Sequence, residues 1–419
     1  MRRLACAATL LLLTIALPAL ELDFLAFGEA TFSEGAQRYA GRLDAVITQQ
    51  FTQDQVLSAA VRGSLDSDSN TDLALTRFEY VGDFPTADGS AVVNITAGRS
   101  TIAESSGILA PLTLDGVKVG YKMPGFVVQG LAATTLLRPE ESLLLTASDL
   151  SEAADESRFF GPQRYIGGIF LTFPETIGTL NIFTEYLAQI DGRGFVATAG
   201  DELYTSHYLI SGVVGPLSPR VFGSLFAIGN YGTVEAVGTG TTRYIGYGAR
   251  AEVRSFIATT GLPTGAASLF FASGDRDGAL SSPPSGQTTT LFAPGPYRAP
   301  WTLAEIPVAN VIAGTLRGSF LPLGWATDPA VRRTRVAART TTIFRPWEID
   351  PGAAGVDPAA GSGFYGTELS AALLVEPCID LDIRATGVIF LPVGSDIGGV
   401  YPAGSRGSWR ISVDAALAF

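Results

Sequence analysis

Long hydrophobic runs, histidine, paired cysteines and charge are all scarce in this sequence, and each shortage removes a class of protein. The chain has 419 residues, 47% of them hydrophobic, and its mean hydropathy is +0.28. Yet beyond the first twenty residues no stretch reaches the roughly 18 consecutive apolar residues that a membrane-spanning helix requires. Charged residues make up 16%, against roughly 25% in ordinary soluble domains. The two cysteines, Cys6 and Cys378, and the single histidine, His207, offer no spacing that would hold zinc. His207 is also the only histidine base available to a barrel hydrolase or protease. Its neighbours Ser206 and Tyr208 fall on the opposite face of an extended strand, so no catalytic constellation forms. Lys118 and Lys122 are the only lysines, and the formal net charge is −12, which argues against a nucleic-acid partner. Asp66, Asp68, Asn70 and Asp72 alternate like calcium ligands but lack the glycine and closing glutamate of such a loop. Gly238-Thr239-Gly240 lacks the third glycine of a nucleotide-binding turn. Neither an enzyme nor a cofactor is expected.

What is present begins with an export signal. Arg2 and Arg3 precede an apolar stretch, Leu4 to Leu17, and Pro18-Ala19 places a small residue just before Glu21. Residues 1–19 read as a cleaved signal peptide and 20–419 as the mature domain. An uncleaved anchor helix is the competing reading, and its apolar core is short for a bilayer. Cleavage would remove Arg2 and Arg3 and take the net charge from −12 to −14. It would also leave Cys378 as the only cysteine, so no intrachain disulfide forms in the oxidising compartment beyond.

From Leu22 onward one unit repeats: about ten alternating residues, then turn residues. Near the end, Trp409, Ile411, Val413, Ala415, Leu417 and Phe419 share one side of a strand and Arg410, Ser412 and Asp414 the other. The strand before it opposes Leu381, Ile383, Ala385, Ile389 and Leu391 to Asp380, Asp382, Arg384 and Thr386. Turn chemistry divides the chain into strands near 22–31, 40–50, 56–65, 72–82, 90–99, 113–122, 125–137, 163–173 and 178–189. The series continues at 203–214, 219–231, 241–255, 264–273, 304–320, 331–345, 363–375, 378–391 and 408–419. The expected fold is therefore all-β, with about 18 strands (16–18).

Connection lengths choose between a soluble sandwich and a membrane barrel. Short links such as 52–55, 123–124, 174–177, 215–218 and 376–377 alternate with long ones at 100–112, 138–162, 190–202, 274–303, 346–362 and 392–407. A transmembrane barrel has short periplasmic turns on one rim and long external loops on the other, with an even strand number. A sandwich has no reason to sort its loops by parity. Aromatics near strand ends, among them Phe51, Tyr80, Tyr121, Phe173, Phe256, Phe344 and Trp409, suit the girdles of a membrane interface and equally the β-propensity of aromatics.

Two segments resemble the alginate-export-like outer-membrane porins. One is Ala97-Gly98-Arg99, a loop, then Leu114-Asp115-Gly116-Val117-Lys118-Val119-Gly120-Tyr121. The other is Gly366-Thr367-Glu368-Leu369 followed by Phe390-Leu391-Pro392. The resemblance covers about a quarter of the chain. It implies a large porin barrel in the outer membrane of a diderm bacterium. It also implies that Phe419 is the assembly signal read by the barrel-assembly machinery, and that the segment 100–112, bracketed by Arg99 and Asp115, sits at or near a constriction. A strongly acidic chain is poorly suited to export an anionic polymer, so general porin function is the part that carries over.

If the apolar face meets outer-membrane lipid, the other face lines a lumen. The lumen-facing residues expected are Arg62, Arg77, Glu79, Glu185, Arg250, Glu252, Arg254, Arg317, Arg335, Arg339, Asp380, Asp382 and Arg384, with Arg99 and Asp115 at the loop. Opposed rows of arginine and acid would set a field across the pore that selects solutes by charge. The acidic loop 138–162 either folds inward or forms an external cap. The expected function is passive diffusion of small hydrophilic solutes. The alternatives are a non-conducting barrel serving as structural protein, adhesin or surface antigen, and a soluble exported β protein. Monomer and trimer both remain open.

Overall fold

The structure, a computed structural model, describes residues 20–33, 36–67, 71–109, 112–135, 163–195, 201–238, 240–257, 261–273, 310–346 and 363–418, with 259, 302–303, 306 and 356. The first third of the chain contains β1 (Leu20–Ser33), β2 (Ala36–Thr52), β3 (Gln55–Asp66), β4 (Thr71–Pro85), β5 (Val92–Ile102), β6 (Leu112–Met123) and β7 (Phe126–Thr134). Then come β8 (Arg164–Ile177), β9 (Leu180–Asp191), β10 (Glu202–Ser218), β11 (Val221–Ala236), β12 (Gly240–Phe256) and β13 (Thr264–Ala272). The last strands are β14 (Val311–Phe320), β15 (Arg335–Phe344), β16 (Phe364–Cys378), β17 (Leu381–Pro392) and β18 (Ser408–Ala418). Each pairs antiparallel with its sequence neighbours, and β1 pairs with both β2 and β18, so the sheet closes into an 18-stranded barrel.

Alternation explains the wall. In β18, Trp409, Ile411, Val413 and Leu417 are exposed on the outside, while Arg410, Ser412 and Asp414 border an interior chamber. The same exterior carries Leu43, Leu73, Val117, Ile169, Leu209, Leu225, Leu269 and Leu316, all exposed. A sandwich would bury such a face against a second sheet; a single closed sheet has nothing to cover it but hydrocarbon. A closed barrel is also the one β architecture that leaves no backbone group unpaired in a bilayer. Strands of 9 to 17 residues meet or exceed the roughly 9–11 that a tilted strand needs to cross. With strands about 4.8 Å apart and tilted by about 40°, eighteen give a backbone radius of about 18 Å, too wide for wall side chains alone to fill.

The rims sort largely by parity. Two-residue turns close β2–β3, β6–β7, β8–β9, β10–β11 and β16–β17 on one rim and most of the long connections lie on the other; the exceptions are the 14-residue β14–β15 link on the first rim and the two-residue β1–β2 link on the second. In the β6–β7 turn Gly125 has φ 78 after Pro124, the left-handed position that follows proline in a type II turn. Several strands begin or end differently from the pattern; β2, β8, β10 and β11 run four or five residues beyond it at one end, and β7, β14 and β15 fall short of it. β15 starts at Arg335 rather than 331, because Asp328 accepts from Ala330 N and Val331 N and Pro329 opens a short helix, α1 (Pro329–Arg332). β14 starts at Val311 rather than 304. Asn310 adopts φ 51 there and its N–H donates to Ser273 O, which ends the ladder with β13. β7 ends at Thr134 rather than 137. Residues 1–19, expected to be a signal peptide, the loop 138–162, the 68–70 part of the acidic tract and Phe419 lie outside the described residues.

Candidate functional site

One arc of the inner wall, from β12 to β18, is dominated by arginine. Register places Arg254, Ala266, Arg317, Arg339, Ser370, Val388 and Arg410 in one cross-strand row. Arg317 and Arg339 are directly opposed, a like-charge pairing that costs stability in a sheet. Each is drawn aside by a glutamate: Arg317 Nη2 lies 2.6 Å from Glu252 Oε1 and Arg339 Nη2 2.6 Å from Glu368 Oε1. Glu252 also takes Arg250 at 3.0 Å and Arg254 at 2.9 Å, so three guanidiniums share one carboxylate. Arg384 donates to Thr386 Oγ1 (3.2 Å) and Arg410 to the carbonyl of Thr302 (3.4 Å), both neutral acceptors. Arg254, Arg317, Arg339, Arg384 and Arg410, with Arg335, Glu29 and Asp414, border a chamber of 670 Å³.

The arc from β2 to β4 carries balanced charge. Asp44 accepts from Arg62 Nε at 3.0 Å and lies 3.1 Å from Arg42, whose guanidinium stands 3.9 Å over the Phe27 ring. Arg77 and Glu79 pair at 3.4 Å.

The remaining wall, β6 to β11, is largely buried, because a loop folds onto it. Residues 103–109 leave β5 and turn inward. Glu104 organises the loop by accepting from the N–H groups of Ser106 and Leu109. Ser105 donates through its N–H (3.1 Å) and its hydroxyl to Glu185, which is 2% exposed on β9. Ile108 and Leu109, at 2% and 3% exposure, pack into an apolar cluster with Phe170, Phe183, Tyr208, Ile210 and Phe226. A methyl added at Gly107 would lie 3.8 Å from Arg250 Nη1, so the loop reaches toward the arginine arc. Beside this cluster, Asp191 binds Arg193 through both guanidinium nitrogens (2.9 and 2.6 Å), and the buried Arg164 lies over the Tyr204 ring. A second inward segment, Thr302 and Leu303, donates three hydrogen bonds from its backbone N–H groups to Glu368, whose side chain is fully buried.

Of the residues expected in the lumen, Arg62, Arg77, Glu79, Glu185, Arg250, Glu252, Arg254, Arg317, Arg335, Arg339, Asp382 and Arg384 all lie on the inward register. Three do not. Asp380 sits in the exposed β16–β17 turn, where its carbonyl accepts from Ala418 N. Arg99 and Asp115 do bond to each other, at 2.9 Å. Their register sets them opposite Phe78 and Thr134, out of step with the inward row. Arg99 is only 7% exposed where Val117 and Phe78 are 43% and 49%, so the two form a covered pair that borders neither the chamber nor the bare outer face. The segment that turns into the barrel is 103–109, between the pair. Glu29, Arg42, Asp44, Glu368, Arg410 and Asp414 were not among the expected residues, although alternation alone could have found them. Ser105 and Thr302 had no signal in the sequence. His207 faces outward, stacked between Tyr186 and Tyr231, with Nδ1 2.7 Å from the Tyr186 hydroxyl.

No family model matches the chain, and no curated protein does. Solved structures from Pseudomonas aeruginosa match it in fold along nearly its whole length. OccK11 (OpdR) aligns with TM-score 0.55 at 10% identity, over 96% of this chain and 95% of that one. OpdK, solved with vanillate, aligns with TM-score 0.55 at 11% identity over 96% and 98%. OccK2 (OpdF), in complex with glucuronate, gives 0.52 at 13% over 96% and 98%. The barrel thus resembles the Occ/OprD-family outer-membrane porins in fold. This broader statement replaces the alginate-export-like resemblance drawn from the two sequence segments.

Proposed function

We propose that this chain is an outer-membrane diffusion channel whose arginine arc favours small solutes bearing a carboxylate or another oxyanion. The observation that carries the reading is the row Arg254, Arg317, Arg339 and Arg410, flanked by Arg335 and Arg384, bordering an open chamber on one side of a barrel otherwise packed on its β6–β11 side. Guanidinium forks bind carboxylates in a planar, bidentate manner, stronger than their bonds to neutral oxygens. Such a wall lowers the barrier for an anion while the acids Glu252, Glu368, Asp414 and Glu29 limit how tightly it is held. Conduction needs binding that is favourable on entry and weak enough for exit. Two structures of the same fold hold carboxylate-bearing molecules, glucuronate and vanillate, which supports the solute class. Diffusion down a gradient would require no energy source or cofactor.

The test is reconstitution in planar bilayers and liposomes. Discrete conductance steps with anion preference, and faster entry of glucuronate than of glucose, are expected. Absence of steps where a control porin conducts would refute the channel reading. A second reading, a barrel that does not conduct, draws on the apolar cluster that fills the β6–β11 side. It predicts intact, heat-modifiable barrels that leave liposomes impermeable to every small solute.

A further inference from the structure

Lys118 and Lys122 are the only lysines in the chain, and neither belongs to the arginine arc. Both stand on β6, where Val117, Val119 and Tyr121 are exposed on the outer face. Alternation therefore turns Lys118, Gly120 and Lys122 into the lumen. Lys122 is exposed beside the β6–β7 turn. Lys118 is half-buried four residues deeper, opposite Leu131, where the covered wall begins. The acids of the adjoining wall are engaged elsewhere: Glu79 pairs with Arg77 at 3.4 Å, and Asp83 accepts from Asn94 Nδ2 at 2.6 Å. Among the described residues no carboxylate pairs with either ammonium.

β6 and β15 are nine strands apart in a ring of eighteen, so the lysines face Arg335 and Arg339 across the full width of the lumen. With a backbone radius of about 18 Å, that width is about 36 Å. The screening length is about 8 Å at physiological ionic strength, so the field of the arginines does not reach β6. We propose that Lys118 and Lys122 form a second anion site at the short-turn mouth, separate from the arginine arc, which draws small anions to this side of the lumen by charge alone. An ammonium is a strongly hydrated point charge on a flexible stem, whereas a guanidinium offers a planar fork. The lysines therefore concentrate chloride and carboxylates alike and leave the choice among anions to the arginines. A site beside one rim acts on ions entering from that rim and much less on ions entering from the other. This rests on the channel reading above and adds a directional step to it.

An ammonium at about 8 Å from the ion path enriches a monovalent anion roughly twofold in dilute salt, so the pair gives about fourfold. The screening length is about 30 Å in ~0.01 M salt and about 3 Å in ~1 M. In planar bilayers in the dilute salt, Lys118→Gln with Lys122→Gln is expected to lower one limb of the current–voltage curve about fourfold and the other less than about twofold. Lys122→Gln alone, at the exposed position, is expected to lower the same limb about twofold. In the concentrated salt both limbs match wild type. Lys118→Arg with Lys122→Arg keeps the charge and the wild-type curve. A heat-modifiable gel shift checks that each barrel is folded. Unchanged currents in the folded glutamine variants, an equal fall of both limbs, or a fall that persists in concentrated salt overturns the proposal, and so does a fall in the arginine variant. If the wild-type barrel gives no conductance steps, the channel reading itself is what has failed.

Discussion

Removing the Glu185 carboxylate is expected to leave the loop 103–109 seated in the barrel, because apolar burial holds it as firmly as the hydrogen bonds do. Ser105 gives Glu185 two bonds, one from N–H and one from the hydroxyl. Hydrogen bonds to a charged group contribute about 1.5–3 kcal/mol each, so the pair contributes about 4 kcal/mol. Ile108 and Leu109, at 2% and 3% exposure, add about 2 kcal/mol each. The loop is already shaped by the bonds from Ser106 and Leu109 to Glu104, so seating it orders few further residues. Glu185→Ala then leaves about 4 kcal/mol, less about 1–2 for a stranded Ser105 donor. That still keeps the open fraction between about one in thirty and one in a hundred and fifty, since about 1.4 kcal/mol is tenfold. Ile108→Ala with Leu109→Ala leaves a similar remainder. The triple variant leaves none to offset the stranded donor, and the loop is expected to be open most of the time. Single-channel recordings would show wild-type conductance for the first two and a second, larger conductance level only in the triple variant. A larger level in Glu185→Ala alone would show that the carboxylate outweighs apolar burial. Wild-type traces from the triple variant would show that the loop is held by something else.

Three further outcomes are expected. Arg384→Gln removes one charge from the chamber wall; at about 8 Å in water-like dielectric this amounts to about 0.5 kcal/mol, a roughly twofold loss of anion preference in reversal potentials across a salt gradient. An unchanged reversal potential would place Arg384 away from the ion path. Gly98→Ala is expected to destabilise the barrel by more than about 2 kcal/mol. Gly98 has φ 115 and an added methyl would meet Phe78 O at 2.1 Å; a urea midpoint equal to wild type would count against that geometry. Asp88, in the exposed 86–91 turn, is held at about pKa 2 against a usual 3.8 by hydrogen bonds from the Thr86 hydroxyl, then the Ser90 hydroxyl and the Ser90 N–H. A depressed carboxylate stabilises the turn above pH 3.8 and loses that contribution as pH falls through about 2. A carbon-13 carboxyl titration of Asp88 with its midpoint near 3.8 would refute this.

The sequence by itself determined the strand number, the parity of the rims and which face of each ribbon is apolar. Period-two alternation, as in Trp409–Leu417 against Arg410–Asp414, is a local property, and so is turn chemistry such as Pro124-Gly125. Where local order failed, a local competitor had been overlooked, as with Asp328 and Pro329 nucleating α1 ahead of β15. Most wall charges followed from the same alternation. For Arg99 and Asp115 the expected role came from loop position, whereas the structure pairs them with each other in a covered position away from the chamber. What only the tertiary structure decided is how the lumen is divided. Ser105 meets Glu185, and Thr302 meets Glu368, Arg339 and Arg410, across intervals of 80 and 37 to 108 residues. No periodicity encodes such contacts: a loop's direction depends on which inward carboxylate the closed cylinder happens to bring within reach of its N–H groups.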